Sequence, residues 1–142
     1  MKTEDMIATA HITINAPVAS VWEALTNPAM IKKYMFGTTV VSGWREGDKI
    51  VWKGEWKGKS YEDKGEILAF EPGRKLQYTH YSPMSGQPDI PENYHTVTIL
   101  LTDKKETTYV VLTQDNNPTD EAREHSEEGW MTMLSGLKKL LD

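Results

Sequence analysis

Between residues 7 and 15 apolar and polar side chains alternate: Ala8, Ala10, Ile12 and Ile14 against Thr9, His11, Thr13 and Asn15. That two-residue period predicts a half-buried strand. Ala16-Pro17 ends it, and Pro17 suits the first helical position. Val18, Val21, Trp22 and Leu25 then recur at the spacing of one helical face. Asn27-Pro28 repeats the cap-and-proline opening, which predicts a second short helix as far as Tyr34, with Met30, Ile31 and Tyr34 as its apolar side.

Strand patterns follow over 38–42, 49–56, 61–70, 75–81, 94–102 and 107–114. In the second of these Ile50, Trp52 and Trp56 share one phase. Turn chemistry separates them: Lys57-Gly58-Lys59, Glu71-Pro72-Gly73-Arg74 and Asp103-Lys104-Lys105-Glu106. Residues 82–93 carry Pro83, Gly86, Pro88 and Pro91 and predict a long loop. Successive strands joined by short turns imply an antiparallel sheet. The last stretch, 117–142, returns to helical period. Ser126, Trp130, Met133, Leu134, Leu137 and Leu141 fall on one face, and Glu121, His125, Glu128, Thr132, Ser135 and Lys139 on the opposite one. Such a helix has to lie across the sheet, and apolar ligands can sit in the gap between them.

The expected fold class is α+β: a curved antiparallel sheet of about six to seven strands wrapped around a long C-terminal helix, with two short helices after the first strand. One domain over 1–142 is expected, since a chain of this length buries roughly 70% of its unfolded surface. The formal charge is -5 with a pI near 5.4, and bases are scattered among acids. That argues against binding a phosphate backbone, so no nucleic-acid partner is expected. The absence of Cys excludes disulfides and thiolate metal sites. Met1 to Met6 form no apolar leader and no run is long enough to span a bilayer. A cytoplasmic location is the expectation, as monomer or homodimer.

Candidate chemistry is sparse. Gly54 to Ser60 is one residue short of a phosphate loop and lacks the following helix, so it reads as a hairpin turn. Glu121, His125 and Glu128 have metal-gathering spacing but oppose Trp130, so they read as solvated; no metal and no cofactor is expected. No catalytic motif occurs, so the reading leans away from an enzyme. Trp22 reads as core, whereas Trp52 on the sheet and Trp130 on the covering helix are pocket candidates. His80 is in phase with Leu76 and Tyr78, and His95 with Val97, Ile99 and Leu101. One antiparallel register pairs His80 with His95, Tyr78 with Val97 and Leu76 with Ile99. Two histidines would then stand at the inner rim of the sheet, where small environmental shifts move their charge across physiological pH. The candidate ligand-binding set is Trp52, Tyr78, His80, His95, Val97, Trp130, Met133 and Leu134. Gly129 and Gly136, seven apart in the last helix, imply either close packing against a strand or a helix able to shift.

Residues 12–25 (ITINAPVASVWEAL), 65–76 (GEILAFEPGRKL) and 128–140 (EGWMTMLSGLKKL) together resemble the START/polyketide-cyclase (SRPBCC) superfamily. The closing segment is similar to the branch homologous to the activator of the ninety-kilodalton heat-shock-protein ATPase. The resemblance covers nearly the whole chain. It implies a helix-grip fold and a cavity for hydrophobic small molecules, lipids among them. It leaves the job open among a carrier of a small hydrophobic or aromatic ligand, a chaperone partner acting in stress response, and a cyclase- or hydrolase-like enzyme.

Overall fold

The computed structural model describes residues 6–83 and 86–142, with Trp56 described by its backbone alone. The first residues of the chain and Met84-Ser85 of the long loop lie outside the described residues, as does the Trp56 side chain, so the expectations that fall on them stand outside this account. Among the described residues, β1 (Ala8–Ile14), β2 (Thr39–Ser42), β3 (Lys49–Trp56), β4 (Lys59–Glu71), β5 (Lys75–His80), β6 (His95–Asp103) and β7 (Thr108–Gln114) form one seven-stranded sheet. Its order is β1-β7-β6-β5-β4-β3-β2, antiparallel throughout. The sheet curves around the C-terminal helix, in the α+β, helix-grip arrangement that the patterning predicts.

The helices begin where capping chemistry puts them. α1 (Val18–Thr26) follows Pro17, which stands at the cap itself and not inside the helix. α2 (Pro28–Tyr34) has Asn27 at its cap, whose side chain accepts from the Ala29 amide at 2.9 Å, and Pro28 in its first turn. α3 (Asp120–Leu141) is capped by Thr119, whose hydroxyl accepts from the Ala122 amide at 3.0 Å. Asp120 and Glu121 stand at its N-terminus and Lys138 and Lys139 at its C-terminus, each sign favourable to the helix dipole.

Met133, Leu134 and Leu137 of α3 are buried in the hollow of the sheet against Ile14, Leu76, Val97, Ile99, Val110 and Leu112. The same helix also satisfies the free edge of β1. Glu127 accepts from the Thr9 amide, Lys138 donates to the Thr13 carbonyl and Asp142 accepts from the Asn15 amide, each at 3.0 Å. The opposite edge, β2, is four residues long. One edge covered and the other kept short are two standard ways of preventing further strand addition.

Two departures from simple alternation shape the inner face. The β4–β5 register slips at Leu68, a bulge that turns Phe70 inward, where its ring lies 5.2 Å from Trp22 and 6.4 Å from Trp44. The glycines of α3 do not pack on a strand. A Cβ on Gly136 would lie 3.4 Å from Tyr34 of α2, and one on Gly129 would meet nothing within 4 Å. Close packing therefore accounts for Gly136 and not for Gly129.

Two stability predictions follow from this packing. Leu137→Ala removes a fully buried side chain at the grip and should cost about 2–5 kcal/mol in urea melts. Gly129→Ala should raise stability by about 0.5–1 kcal/mol, because the added methyl group has open space and the unfolded chain loses freedom.

Candidate functional site

Antiparallel pairing of β5 with β6 sets His80 opposite His95, Tyr78 opposite Val97 and Leu76 opposite Ile99, the register expected from the sequence. On β3 and β4 the inward positions pair Trp52 with Asp63 and Ile50 with Gly65. Gly65 lies between Ile50 and the start of the Thr79-His80 backbone, and a Cβ there would fall 1.7 Å from the Thr79 carbonyl oxygen. Because this position on β4 has no side chain, Trp52 of β3 and His80 of β5 meet across it. Their rings stand edge to face at 5.0 Å, and Tyr78 closes on Trp52 at 5.1 Å.

Two small hollows lie between this surface and the helices. One, of about 80 Å³, is lined by Met35, Thr38, Trp52, Tyr61, Asp63, Tyr78, His80 and Trp130. The other, of about 30 Å³, is apolar; Trp44, Ile50, Leu76, Ile99 and Met133 are among its walls. Met35, Trp52 and Tyr78 border both. Of the sequence candidates, then, Trp52, Tyr78, His80 and Trp130 share the larger hollow and Met133 borders the smaller. Val97 and Leu134 line neither, being packed solid in the core. His95 stands 6.4 Å from His80, ring centre to ring centre, but its Nδ1 is engaged with the Asp115 carbonyl at 2.9 Å.

The polar end of the larger hollow has a feature that motif reading passed over. Asp63 Oδ2 lies 2.9 Å from His80 Nε2. Asp63 Oδ1, in contrast, is the single side-chain oxygen or nitrogen among the described residues that is fully buried without a hydrogen-bond partner. Asp63 shares the inward phase of Tyr61 and Ile67 on β4, so an acid on the core side of a strand was the available signal. Next to it the Thr38 and Tyr61 hydroxyls share a 2.7 Å hydrogen bond. Tyr61 reaches that position by leaning over Gly54, where a Cβ would come within 2.4 Å of its hydroxyl oxygen. Met35 and Thr38 come from the segment joining α2 to β2, where no periodicity marks a residue as inward.

Trp130 is held from the other side. Its indole N–H donates to Gln114 Oε1. Gln114 neighbours buried Asn117, whose Oδ1 accepts from Ser126 and whose Nδ2 donates to the carbonyls of Met6 and Gln114. This network places the first half of α3 over the β7 end of the sheet. Glu121, His125 and Glu128 project from the far face and are exposed.

The family described as activator of Hsp90 ATPase homolog 1-like protein (AHSA1) matches residues 15–142. The chain belongs to the AHSA1 family. That is the branch its closing segment resembles. ChR145 from Cytophaga hutchinsonii, known as a solution structure, is 61% identical to this AHSA1 chain, with a TM-score of 0.87 over 99% of the chain and 96% of that protein. MLL2253 from Mesorhizobium loti is 24% identical, with a TM-score of 0.77 over 96% of both chains. The Aha1 dimer from Colwellia psychrerythraea is 21% identical, with a TM-score of 0.72 over 95% of both chains. The last two show the shared fold. No curated protein sequence matches. No helix among the described residues is long and apolar enough to cross a membrane.

Burial leaves one titration signature in this AHSA1 site. Tyr78 and Tyr34 both have hydroxyl pKa values raised above the ordinary value of about 10, each chiefly by burial, with Tyr78 adding to the shift of Tyr34. The folded chain thus holds protons that the unfolded chain releases, so stability is complete below pH 10 and falls as pH rises beyond it. Tyr78→Phe should flatten that alkaline decline in urea melts between pH 8 and 11. A decline as steep as that of the unmodified chain would mean that Tyr78 ionises freely.

Proposed function

We propose that this chain is a small-molecule binding protein that takes a hydrophobic or aromatic ligand between sheet and terminal helix. The observation that carries the reading is the larger hollow, where aromatic walls from Trp52, Tyr61, Tyr78 and Trp130 stand with Thr38, Asp63 and His80. A few placed polar groups in an apolar surround are the usual make-up of a ligand site. The free space is small. An engineered cavity of about 150 Å³ admits benzene, and neither hollow reaches that size, so entry of even one ring requires Met35 or Trp130 to move aside. Met35 is suited to this as an unbranched side chain with several accessible rotamers. Trp130 is half-buried on a helix whose far side is in solvent.

Family membership favours a second reading, stimulation of a heat-shock ATPase in a cytoplasmic setting, since that is what the family is named for. Binding and stimulation give different outcomes in solution. Titration with a small aromatic compound such as toluene should quench or shift the fluorescence of Trp52 and Trp130, and Trp52→Ala should remove most of the response. An unchanged spectrum together with acceleration of Hsp90 ATP hydrolysis by the chain would replace the first reading with the second.

A further inference from the structure

Resting on the binding reading above, we infer that Asp63 is a specificity-determining residue, selecting a neutral single-ring ligand that carries one hydroxyl donor. His80 Nε2 already occupies Oδ2 of the carboxylate at 2.9 Å. Oδ1 is buried without a donor and belongs to a residue that lines the larger hollow. A carboxylate oxygen only accepts, so the missing partner is an O–H or N–H. Hydrogen bonds to an ionised acceptor are shorter and stronger than neutral ones, and a buried polar atom left without one is costly. A ligand that supplies the donor therefore gains more here than one that only fills space.

The surroundings narrow the class. Trp52, Tyr61, Tyr78 and Trp130 present ring faces and edges, which suit a flat apolar body. The hollow has room for one ring after a modest adjustment. Two imidazoles stand at this end of the sheet, His80 against Asp63 and His95 at 6.4 Å from His80. An ammonium would have to shed its hydration to enter this apolar hollow, a larger cost than a hydroxyl meets, so a hydroxyl is the better donor here. The Thr38 and Tyr61 hydroxyls bond each other, and Asp63 Oδ1 is the buried acceptor at this end without a donor.

Phenol and toluene have nearly the same size and differ in a hydroxyl against a methyl group. With the full chain labelled with nitrogen-15, titration of each is followed at the indole N–H resonances of Trp52 and Trp130. Phenol should bind about tenfold more tightly than toluene. Asp63→Leu, which removes both acceptor oxygens, should reduce that preference to near unity. Equal binding of the two compounds by the unmodified chain overturns the inference and leaves the binding reading intact, and needs no variant to fold. A preference for phenol that survives Asp63→Leu overturns the assignment to Asp63. Tighter binding of benzylamine, a cation at neutral pH, overturns the ligand class. If no compound moves either indole resonance, both readings fall.

Discussion

The contact on which this fold depends is the grip of α3 on the concave face of the sheet, and it is made in two different ways along the helix. In its second half, Met133, Leu134 and Leu137 bury against Ile14, Val110, Leu112 and their neighbours, and the attraction is non-directional hydrophobic burial. In its first half the hold is directional. Trp130 donates to Gln114, and Ser126 donates to Asn117, which also ties down the start of β1 through the Met6 carbonyl. Burial alone tolerates rotation of a helix by a fraction of a turn. The hydrogen bonds fix which side of Trp130 faces the sheet, and the β1 edge contacts of Glu127, Lys138 and Asp142 fix where the helix lies along it.

This division explains where empty space collects. Close packing fills the region around Leu134 and Val97, which is why neither residue lines a hollow. The space lies farther toward β3 and β4, where Met133 borders the smaller hollow and Trp130 the larger. Large flat side chains meet there at edges and angles, as Trp52 does with Tyr78 and His80. Rings crossing at 49° and 68° leave gaps that branched aliphatics would fill. Asp63, on the wall of that space, also has one fully buried carboxylate oxygen without a partner, a feature costing about 1–3 kcal/mol when left so.

Much of this was legible in the chain. The strict alternation of β1, the Asn-Pro opening of α2 and the Trp/Met/Leu face of α3 are short-range patterns, and each element formed where its pattern lay. The β5–β6 register was legible as well, because only one pairing opposes Leu76, Tyr78 and His80 to Ile99, Val97 and His95. What stayed hidden depends on geometry across strands. The bulge at Leu68 has no compositional mark, yet it decides that Phe70 turns inward. Val97 and Leu134 share the phase of true lining residues, and phase distinguishes inward from outward but not packed from unpacked. Asp63 was visible as an acid in an inward position, but its importance lies in the gap over Gly65, which depends on three strands at once.

Gly54 and Gly65 make the same argument from the opposite direction. Glycine in a strand interior weakens it and is costly relative to a β-branched residue. Both positions here lie on the inner face of the sheet, opposite Tyr61 and Ile50 respectively. Gly65 is forced by backbone, since any side chain would collide with the Thr79 carbonyl. Gly54 is forced by a side chain, since its neighbour Tyr61 occupies the space a Cβ would take. A sheet selected for packing alone would relieve both by a small change of twist or by a smaller residue at 61. Instead the two glycines hold Tyr61 beside Thr38 and let His80 reach Trp52 and Asp63. The strands forgo local stability at the two positions that bring polar atoms to the hollow.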